Sequence, residues 1–147
     1  MIVIEGFSGS GKSTQVRLLT PLYPEHEYKV WFMSTLIMKG KLDEEDINEF
    51  FESNPVPDYM FYLYCPMAIA KLRRYERDIA KIRAGIRKHY PLKESDSEMT
   101  ENCVNNVKTL QKYMPNLYII NGVQCAQNVH KEIVSIMEDT TKCQKNR

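Results

Sequence analysis

The sequence predicts an α/β domain in which helices flank a mainly parallel β-sheet, in three layers. Short apolar segments alternate along the 147 residues with segments of helical periodicity, which is the order that a parallel sheet requires. A content of 43% hydrophobic and 27% charged residues is typical of a globular chain and not of a disordered one. The length is that of one domain. We therefore expect a single unit over residues 1–139, with a polar, frayed tail over residues 140–147.

The amino-terminal part predicts a strand, a loop, a helix and a second strand. Met1–Glu5 is apolar and β-branched, as expected of a buried parallel strand. A loop rich in Gly and Ser follows over residues 6–11, and the chain has helical character from Lys12 until Pro21 stops it. The second strand is expected over residues 28–34.

A second helix is predicted to begin at Asp43. Its carboxylate can cap the first turn, Asp46 can reach back to the cap residue, and Leu42 can pack onto Ile47. This capping pattern accounts for the acidic run at 43–46 without a catalytic or metal-binding role. The prolines and asparagine of residues 54–57 break the helix.

The middle of the chain predicts a strand and then a long helix. Residues 59–65 read YMFYLYC, the strongest strand signal after the first. A helical pattern follows over residues 67–89, where Gly85 weakens its end and Pro91 excludes its continuation. The apolar face of this helix recurs every three or four residues: Leu72, Tyr75, Ile79, Ile82 and Ile86.

The last part of the chain predicts helix, strand and helix after a polar loop at 91–97. The strand is expected over residues 117–120, and Asn121-Gly122 is a turn signal. The first of the two helices has an apolar stripe made of Met99, Cys103, Val107, Leu110 and Met114. The second has one made of Val129, Ile133, Ile136 and Met137.

Charge and cysteine content narrow the classes of function. The net charge of +1 provides no bulk electrostatic attraction to nucleic acid or to an anionic membrane. No apolar run approaches the roughly 20 residues that span a bilayer, and no signal peptide is evident, so we expect a cytoplasmic protein. The four cysteines are too scattered for a zinc site or a disulfide scaffold, and we expect reduced thiols.

Residues 6–13 read GFSGSGKS and match the phosphate-binding pattern G-x-x-x-x-G-K-[ST], the P-loop or Walker A motif, at every required position. Glycines let backbone N–H groups converge on a polyphosphate, and the helix opening at Lys12 adds its positive dipole end. The Lys12 ammonium can reach the β and γ phosphates, and the Ser13 hydroxyl can ligate Mg²⁺. The predicted cofactor-binding residues are Gly6, Ser8, Gly9, Ser10, Gly11, Lys12, Ser13 and Thr14.

Residues 4–15, IEGFSGSGKSTQ, resemble the opening of thymidylate kinases and related deoxynucleoside kinases. Residues 57–74 and 117–133 are similar to later elements of that family, and residues 42–51 more weakly so. The resemblance implies a three-layer P-loop NTPase fold and Mg²⁺-dependent phosphoryl transfer from ATP to a nucleoside or nucleoside monophosphate. It also suggests a homodimer.

The resemblance further implies a basic lid whose arginines stabilise charge on the transferring group. Arg73 and Arg77, four apart on one helix face, are the predicted catalytic arginines beside Lys12. The same spacing fits a solvated face with no catalytic role. The full set of lid candidates is Arg73, Arg74, Arg77, Arg83 and Arg87.

The chain departs from this family in several places. The family carries an Asp-Arg or Glu-Arg pair at the end of a middle strand, whereas Glu76-Arg77 falls inside the long helical pattern. Residues 31–34, WFMS, stand where thymidylate kinases have Arg-Glu-Pro, and Ser8 stands in place of their usual Asp. The 43 residues between Thr14 and Asp58 hold one strand and one helix beyond the first helix, fewer elements than the family has there.

These departures leave a second hypothesis open, a P-loop protein that binds nucleotide with little or no transfer. A GTPase is disfavoured because the sequence lacks an Asn-Lys-x-Asp guanine reader. Glu5 can orient the loop or reach Mg²⁺ through water, and residues 121–124 border the adenine by resemblance. Four aromatic residues can stack on an acceptor base, although core packing explains them as well: Trp31, Phe32, Phe50 and Phe51.

Overall fold

The computed structural model describes the backbone of residues 1–145 and the side chains up to Thr141. The strands are β1 (Ile2–Glu5), β2 (Tyr28–Val30), β3 (Tyr59–Tyr64) and β4 (Leu117–Asn121). The helices are α1 (Lys12–Leu19), α2 (Ser34–Ile37), α3 (Glu44–Ser53), α4 (Met67–Arg83), α5 (Asp96–Gln111) and α6 (Ala126–Lys145).

The four strands form one parallel sheet in the order β2-β1-β3-β4. Because successive side chains of a strand point to opposite faces, each face of the sheet has its own apolar core. Val3, Met60 and Tyr62 face the core under α2, α3 and α5. Ile4 and Phe61 face the core under α1 and α6. The predicted three-layer arrangement is therefore confirmed, and the carboxyl ends of all four strands meet at one edge.

The predicted start of α3 is confirmed in detail. The Asp43 side chain accepts a hydrogen bond from the backbone N–H of Asp46, and the Asp46 side chain accepts one from the N–H of Asp43. The Asp46 carboxylate also pairs with Lys39. These contacts hold the acidic run in a structural role, as the capping pattern indicates.

Strand β2 ends at Val30, four residues before its predicted end at Ser34. Trp31 has a backbone φ of 60°, in the left-handed region that L residues rarely adopt, and this turns the chain out of the sheet. The backbone N–H of Met33 then donates to the buried Glu5 carboxylate instead of to a neighbouring strand. A short helix, α2, begins at Ser34.

Helix α4 ends at Arg83 and not at His89, because Gly85 takes a φ of 72° and redirects the chain. The predicted apolar face is only partly buried: Leu72, inside the helix, is 50% exposed, and Ile86, beyond its end, is 74% exposed. The other three members, Tyr75, Ile79 and Ile82, are half-buried. In α5, the predicted stripe is buried except at Met99, which lies in the first turn of the helix and is 38% exposed.

Helix α6 continues to Lys145, beyond the predicted start of the tail at Thr140. Residues 146 and 147 lie outside the described part of the chain. Within the described residues, none of the helices is both long and apolar enough to cross a membrane.

Candidate phosphate-binding site

The loop of residues 6–13, which we call the phosphate loop, leaves the carboxyl end of β1 and enters α1. Gly6, Gly9 and Gly11 have φ values of 147°, 95° and 102°, which only glycine adopts without strain. Gly9 also needs to lack a side chain, because a Cβ there would lie 2.4 Å from the carbonyl oxygen of Ala70 in α4. The glycine pattern therefore holds the loop against α4 and the sheet edge.

Lys12 is buried, with 6% of its surface exposed, and its Nζ points back into the phosphate loop. The ammonium donates to the carbonyl oxygens of Gly6, at 2.7 Å, and Phe7, at 2.8 Å. Burial lowers the pKa of Lys12 to about 8; the nearby Glu5 opposes this shift and Arg74 adds to it. At neutral pH the loop therefore contains a buried cation.

Trp31 covers this cation, with the centre of its ring 3.8 Å from the Lys12 Nζ. The ring is 49% exposed and contributes to neither apolar core. Phe32, Phe50 and Phe51 instead pack together edge to face against the core, as their alternative interpretation predicts. Sequence reasoning identified Trp31 as a candidate but not its contact with Lys12.

A cavity of about 290 Å³ opens in front of the phosphate loop, and we call it the loop cavity. Three of its lining side chains are cationic, and it has no carboxylate among the lining residues described. An anion therefore meets only complementary charge in it. Its lining comprises Ser8, Gly9, Gly11, Lys12, Ser13, Thr14, Trp31, Arg73 and Arg77.

The structure brings both predicted catalytic arginines to the loop cavity but gives each another partner. Arg73 donates to the carbonyl oxygens of Gly122, at 2.7 Å, and Val123, at 2.9 Å, in the turn after β4. Arg77 pairs through two hydrogen bonds with its neighbour Asp78. Arg73 therefore ties α4 to the turn after β4.

The other arginine candidates lie outside the lining of the loop cavity. Arg74 packs its Cγ close to Gly9 and its guanidinium over the ring of Tyr90, at 4.4 Å. Arg83 and Arg87 are exposed, at the end of α4 and in the segment after it. Arg74 therefore lies against the phosphate loop, while its guanidinium is directed to Tyr90.

Ser10 and Ser13 supply the hydroxyl groups expected of a phosphate and Mg²⁺ site. The Ser10 Oγ is buried beside Gly6, has no hydrogen-bond partner and does not line the loop cavity. Ser13 lines the loop cavity and is exposed. In the described part of the chain there is no cluster of three or more metal-binding side chains.

Glu76-Arg77 lies inside α4 and not at the end of a strand. Cys65 and Pro66 follow β3 directly, at the edge where the carboxyl ends of the strands meet. The Cys65 thiol is buried and lies 3.9 Å from the Arg73 guanidinium. The carboxyl end of β3 thus places a neutral thiol beside Arg73.

Glu5 lies behind the phosphate loop and is 1% exposed. Its Oε1 accepts a hydrogen bond from the backbone N–H of Met33 at 2.6 Å. Burial raises the pKa of Glu5 to about 6, although the Met33 hydrogen bond and the Lys12 charge partly oppose it. Glu5 thereby anchors the segment after β2.

The raised pKa of Glu5 predicts a specific pH dependence of folding. Between the ordinary pKa of 4.5 and the raised pKa of about 6, Glu5 stays protonated in the folded protein but ionises in the unfolded chain. The free energy of unfolding therefore falls as the pH rises through that window. The shift corresponds to about 2 kcal/mol. Urea titrations at pH 4 and pH 7 should show this loss in the wild type relative to Glu5→Gln, whose amide still accepts from Met33. Parallel pH profiles for the two proteins would contradict the assignment.

The chain resembles known proteins both in sequence and in structure. No protein-family model matches the chain. It is 29% identical over 92 residues to the thymidylate kinase of Thermosipho africanus (strain TCF52B). The aligned region is 63% of this chain but 41% of that kinase, so the chain matches about two fifths of its relative's length.

Among solved structures, the fold resembles that of deoxyadenosine kinase from M. mycoides. The structure of that enzyme with bound dATP aligns with a TM-score of 0.57 and 12% identity, over 94% of this chain and all of that one. Its structure with bound dCTP aligns with a TM-score of 0.55 and 14% identity, over 95% of this chain and all of that one. The predicted P-loop α/β fold and the resemblance to thymidylate and deoxynucleoside kinases are confirmed.

Proposed function

We propose that the chain carries the phosphate-binding part of a Mg²⁺- and ATP-dependent kinase that phosphorylates a nucleoside or nucleoside monophosphate. The observation that carries this proposal is the buried Lys12 ammonium in a glycine-lined loop at the carboxyl edge of the sheet. In an open α/β sheet, ligands bind beyond that edge. The likeness to a thymidylate kinase and the shared fold support the substrate class.

In this function the chain's own residues do mostly electrostatic work. Lys12 keeps its bonds to the carbonyl oxygens of Gly6 and Phe7 and directs its remaining donor to phosphate oxygens, while the backbone N–H groups of the loop hold the triphosphate in place. Ser13 would hold Mg²⁺, which when bound would neutralise phosphate charge. An acceptor oxygen attacks the γ phosphorus in line, the bond to ADP breaks, and the charge that spreads over the γ oxygens is stabilised by Lys12.

Arg77 is the arginine best placed to assist, because its side chain is 57% exposed and its partner, the largely buried Asp78, is its neighbour on the same helix. The exposed guanidinium can exchange Asp78 for a phosphate oxygen. Arg73 is less available, because moving to phosphate would break its hydrogen bonds to the carbonyl oxygens of Gly122 and Val123 in the turn after β4. We assign Arg73 to binding through that turn and Arg77 to the phosphate.

One observation favours a second candidate, a nucleotide-binding protein without efficient transfer. The loop cavity has no carboxylate in its described lining, and Glu76-Arg77 lies within α4 instead of at the end of a strand. The described site therefore lacks a carboxylate that would place an acceptor and a metal ion. Binding of ATP does not depend on such a carboxylate.

The two candidates differ in acceptor-dependent turnover. The purified protein is incubated with Mg-ATP and a panel of nucleosides and nucleoside monophosphates, and ADP is measured. We expect ADP formation that increases with one class of acceptor. Thermal stabilisation by Mg-ATP without any acceptor-stimulated ADP would support the binding protein instead. Neither stabilisation nor turnover would remove both candidates.

The setting proposed for this activity is the cytoplasm, with a small-molecule acceptor as the partner. Cys65, Cys103 and Cys125 are free thiols, which fits a reducing compartment. A net charge of +1 gives no reason to expect a nucleic-acid partner. The homodimer suggested by the likeness to thymidylate kinases is tested by sedimentation of the purified chain.

A further inference from the structure

Trp31 differs from every other aromatic side chain at the sheet edge, because its ring lies directly on the cation of the phosphate loop. The Lys12 Nζ is 3.8 Å from the ring centre, close to the closest approach of an ammonium to an aromatic face. The residue is half exposed and holds a φ of 60°, which is costly for a bulky side chain. Strained residues of this kind persist where surrounding structure imposes them, and they cluster at ligand sites.

The hydrogen-bond geometry of Lys12 leaves one direction for a ligand. An ammonium has three donors, and two of them are directed to the carbonyl oxygens of Gly6 and Phe7. The indole face of Trp31 occupies the remaining open side of the Nζ. A phosphate oxygen that binds Lys12 from the loop cavity must therefore displace either the indole ring or a loop carbonyl.

The loop carbonyls are the harder partners to displace. Gly6 and Phe7 are both buried, so water cannot take the place of Lys12 at either carbonyl, and Phe7 alone would keep a second donor, the N–H of Ser10. The indole is half exposed and loses little by turning into solvent. It also forms the wall between the loop cavity and a small pocket behind it, lined partly by Ile37, Met38 and Tyr62.

We infer that Trp31 is a gate over Lys12: its ring occupies the phosphate position in the free protein and leaves it when a polyphosphate binds. This inference rests on the proposed function, since it concerns the same phosphate loop. Because the Lys12–Trp31 contact must break before phosphate binds, the free energy of that contact lowers the affinity for a polyphosphate. Trp31 thus sets the strength of phosphate binding without itself binding phosphate.

The single tryptophan of the chain makes the gate directly observable. Sodium tripolyphosphate and Mg-ATP are titrated into the wild type while heat and tryptophan fluorescence are recorded. We expect the emission to move to longer wavelength and its quenching by acrylamide to increase, in step with the heat of binding. Sodium chloride at matched ionic strength is the control and should leave the emission unchanged.

Two substitutions separate the aromatic face from simple bulk. Trp31→Leu keeps an apolar side chain but has no aromatic face, so tripolyphosphate should bind about three to ten times more tightly. Trp31→Phe keeps an aromatic face over Lys12 and should stay within about twofold of the wild type. Circular dichroism and melting curves show whether each variant is folded.

The outcomes distinguish the gate from the proposed function. Heat of binding in the wild type, with unchanged emission and equal affinities in Trp31→Leu and Trp31→Phe, would overturn the gate and leave the phosphate site intact. No binding in the wild type or in either variant would overturn both. Binding that is detectable in Trp31→Leu but not in the wild type would support both.

Discussion

Lys12→Met is expected to abolish nucleotide binding and any acceptor-dependent ADP formation. The methionine retains the length of the lysine stem but removes the only cation that the phosphate loop itself contributes, at the base of the loop cavity. Losing one partner of a buried charged pair costs about 2–5 kcal/mol, so the affinity for Mg-ATP should fall at least about 30-fold. Calorimetry of Mg-ATP binding and an ADP assay on the same preparation measure the two effects.

The fold should survive this substitution. The Lys12 ammonium is itself buried at a cost, which is why its pKa is lowered to about 8. Removing it takes one hydrogen-bond donor from the carbonyl oxygens of Gly6 and Phe7, of which Phe7 keeps the N–H of Ser10, and it also removes that cost. Lys39→Met is the matched control, because Lys39 pairs with Asp46 on α3 and does not line the loop cavity. An affinity of Lys12→Met within threefold of the control would contradict the assignment of Lys12.

The parts of the site that could be predicted from sequence are those whose cause is local. The phosphate loop is a short segment in which glycine positions, a lysine and a helix start act together, so the spacing alone identifies it. The start of α3 was predictable for the same reason, since Asp43 and Asp46 satisfy each other across one turn. The parallel sheet followed from buried, β-branched segments alternating with helices.

The parts that could not be predicted depend on contacts between distant segments. The end of β2 is decided by Glu5, a residue of another strand, which takes the backbone N–H of Met33. Trp31 is turned out of the sheet as a result, and its position over Lys12 is a consequence of that turn. Periodicity along residues 28–34 contains no information about this competition.

The arginines of α4 also have one feature that the sequence predicts and one that it does not. Their spacing correctly indicates that Arg73 and Arg77 share the side of the helix that lines the loop cavity. Their partners were not predictable, because Gly122 lies 49 positions from Arg73 along the chain. The exposed ends of the predicted apolar stripe, Leu72 and Ile86, likewise reflect where α4 meets its neighbours and where Gly85 ends it.

Gly9→Ala is expected to destabilise the fold by about 3 kcal/mol, since it combines backbone strain with a steric overlap. A left-handed φ of 95° costs an alanine about 1–2 kcal/mol. The added Cβ would also lie 2.4 Å from the Ala70 carbonyl oxygen and 2.9 Å from the Arg74 Cγ. The arginine can move aside, but the carbonyl belongs to the backbone of α4 and cannot move without shifting the helix.

Gly11→Ala separates the two contributions, because Gly11 has a similar φ of 102° and no atom within 4 Å of an added Cβ. It should therefore show the backbone cost alone, about 1–2 kcal/mol. Urea unfolding of both variants gives the difference, which we expect to be about 1–2 kcal/mol in favour of Gly11→Ala. Equal destabilisation would mean that the loop does not press against α4. In that case Arg73, Arg74 and Arg77 would lose the contact that sets their distance from the phosphate loop.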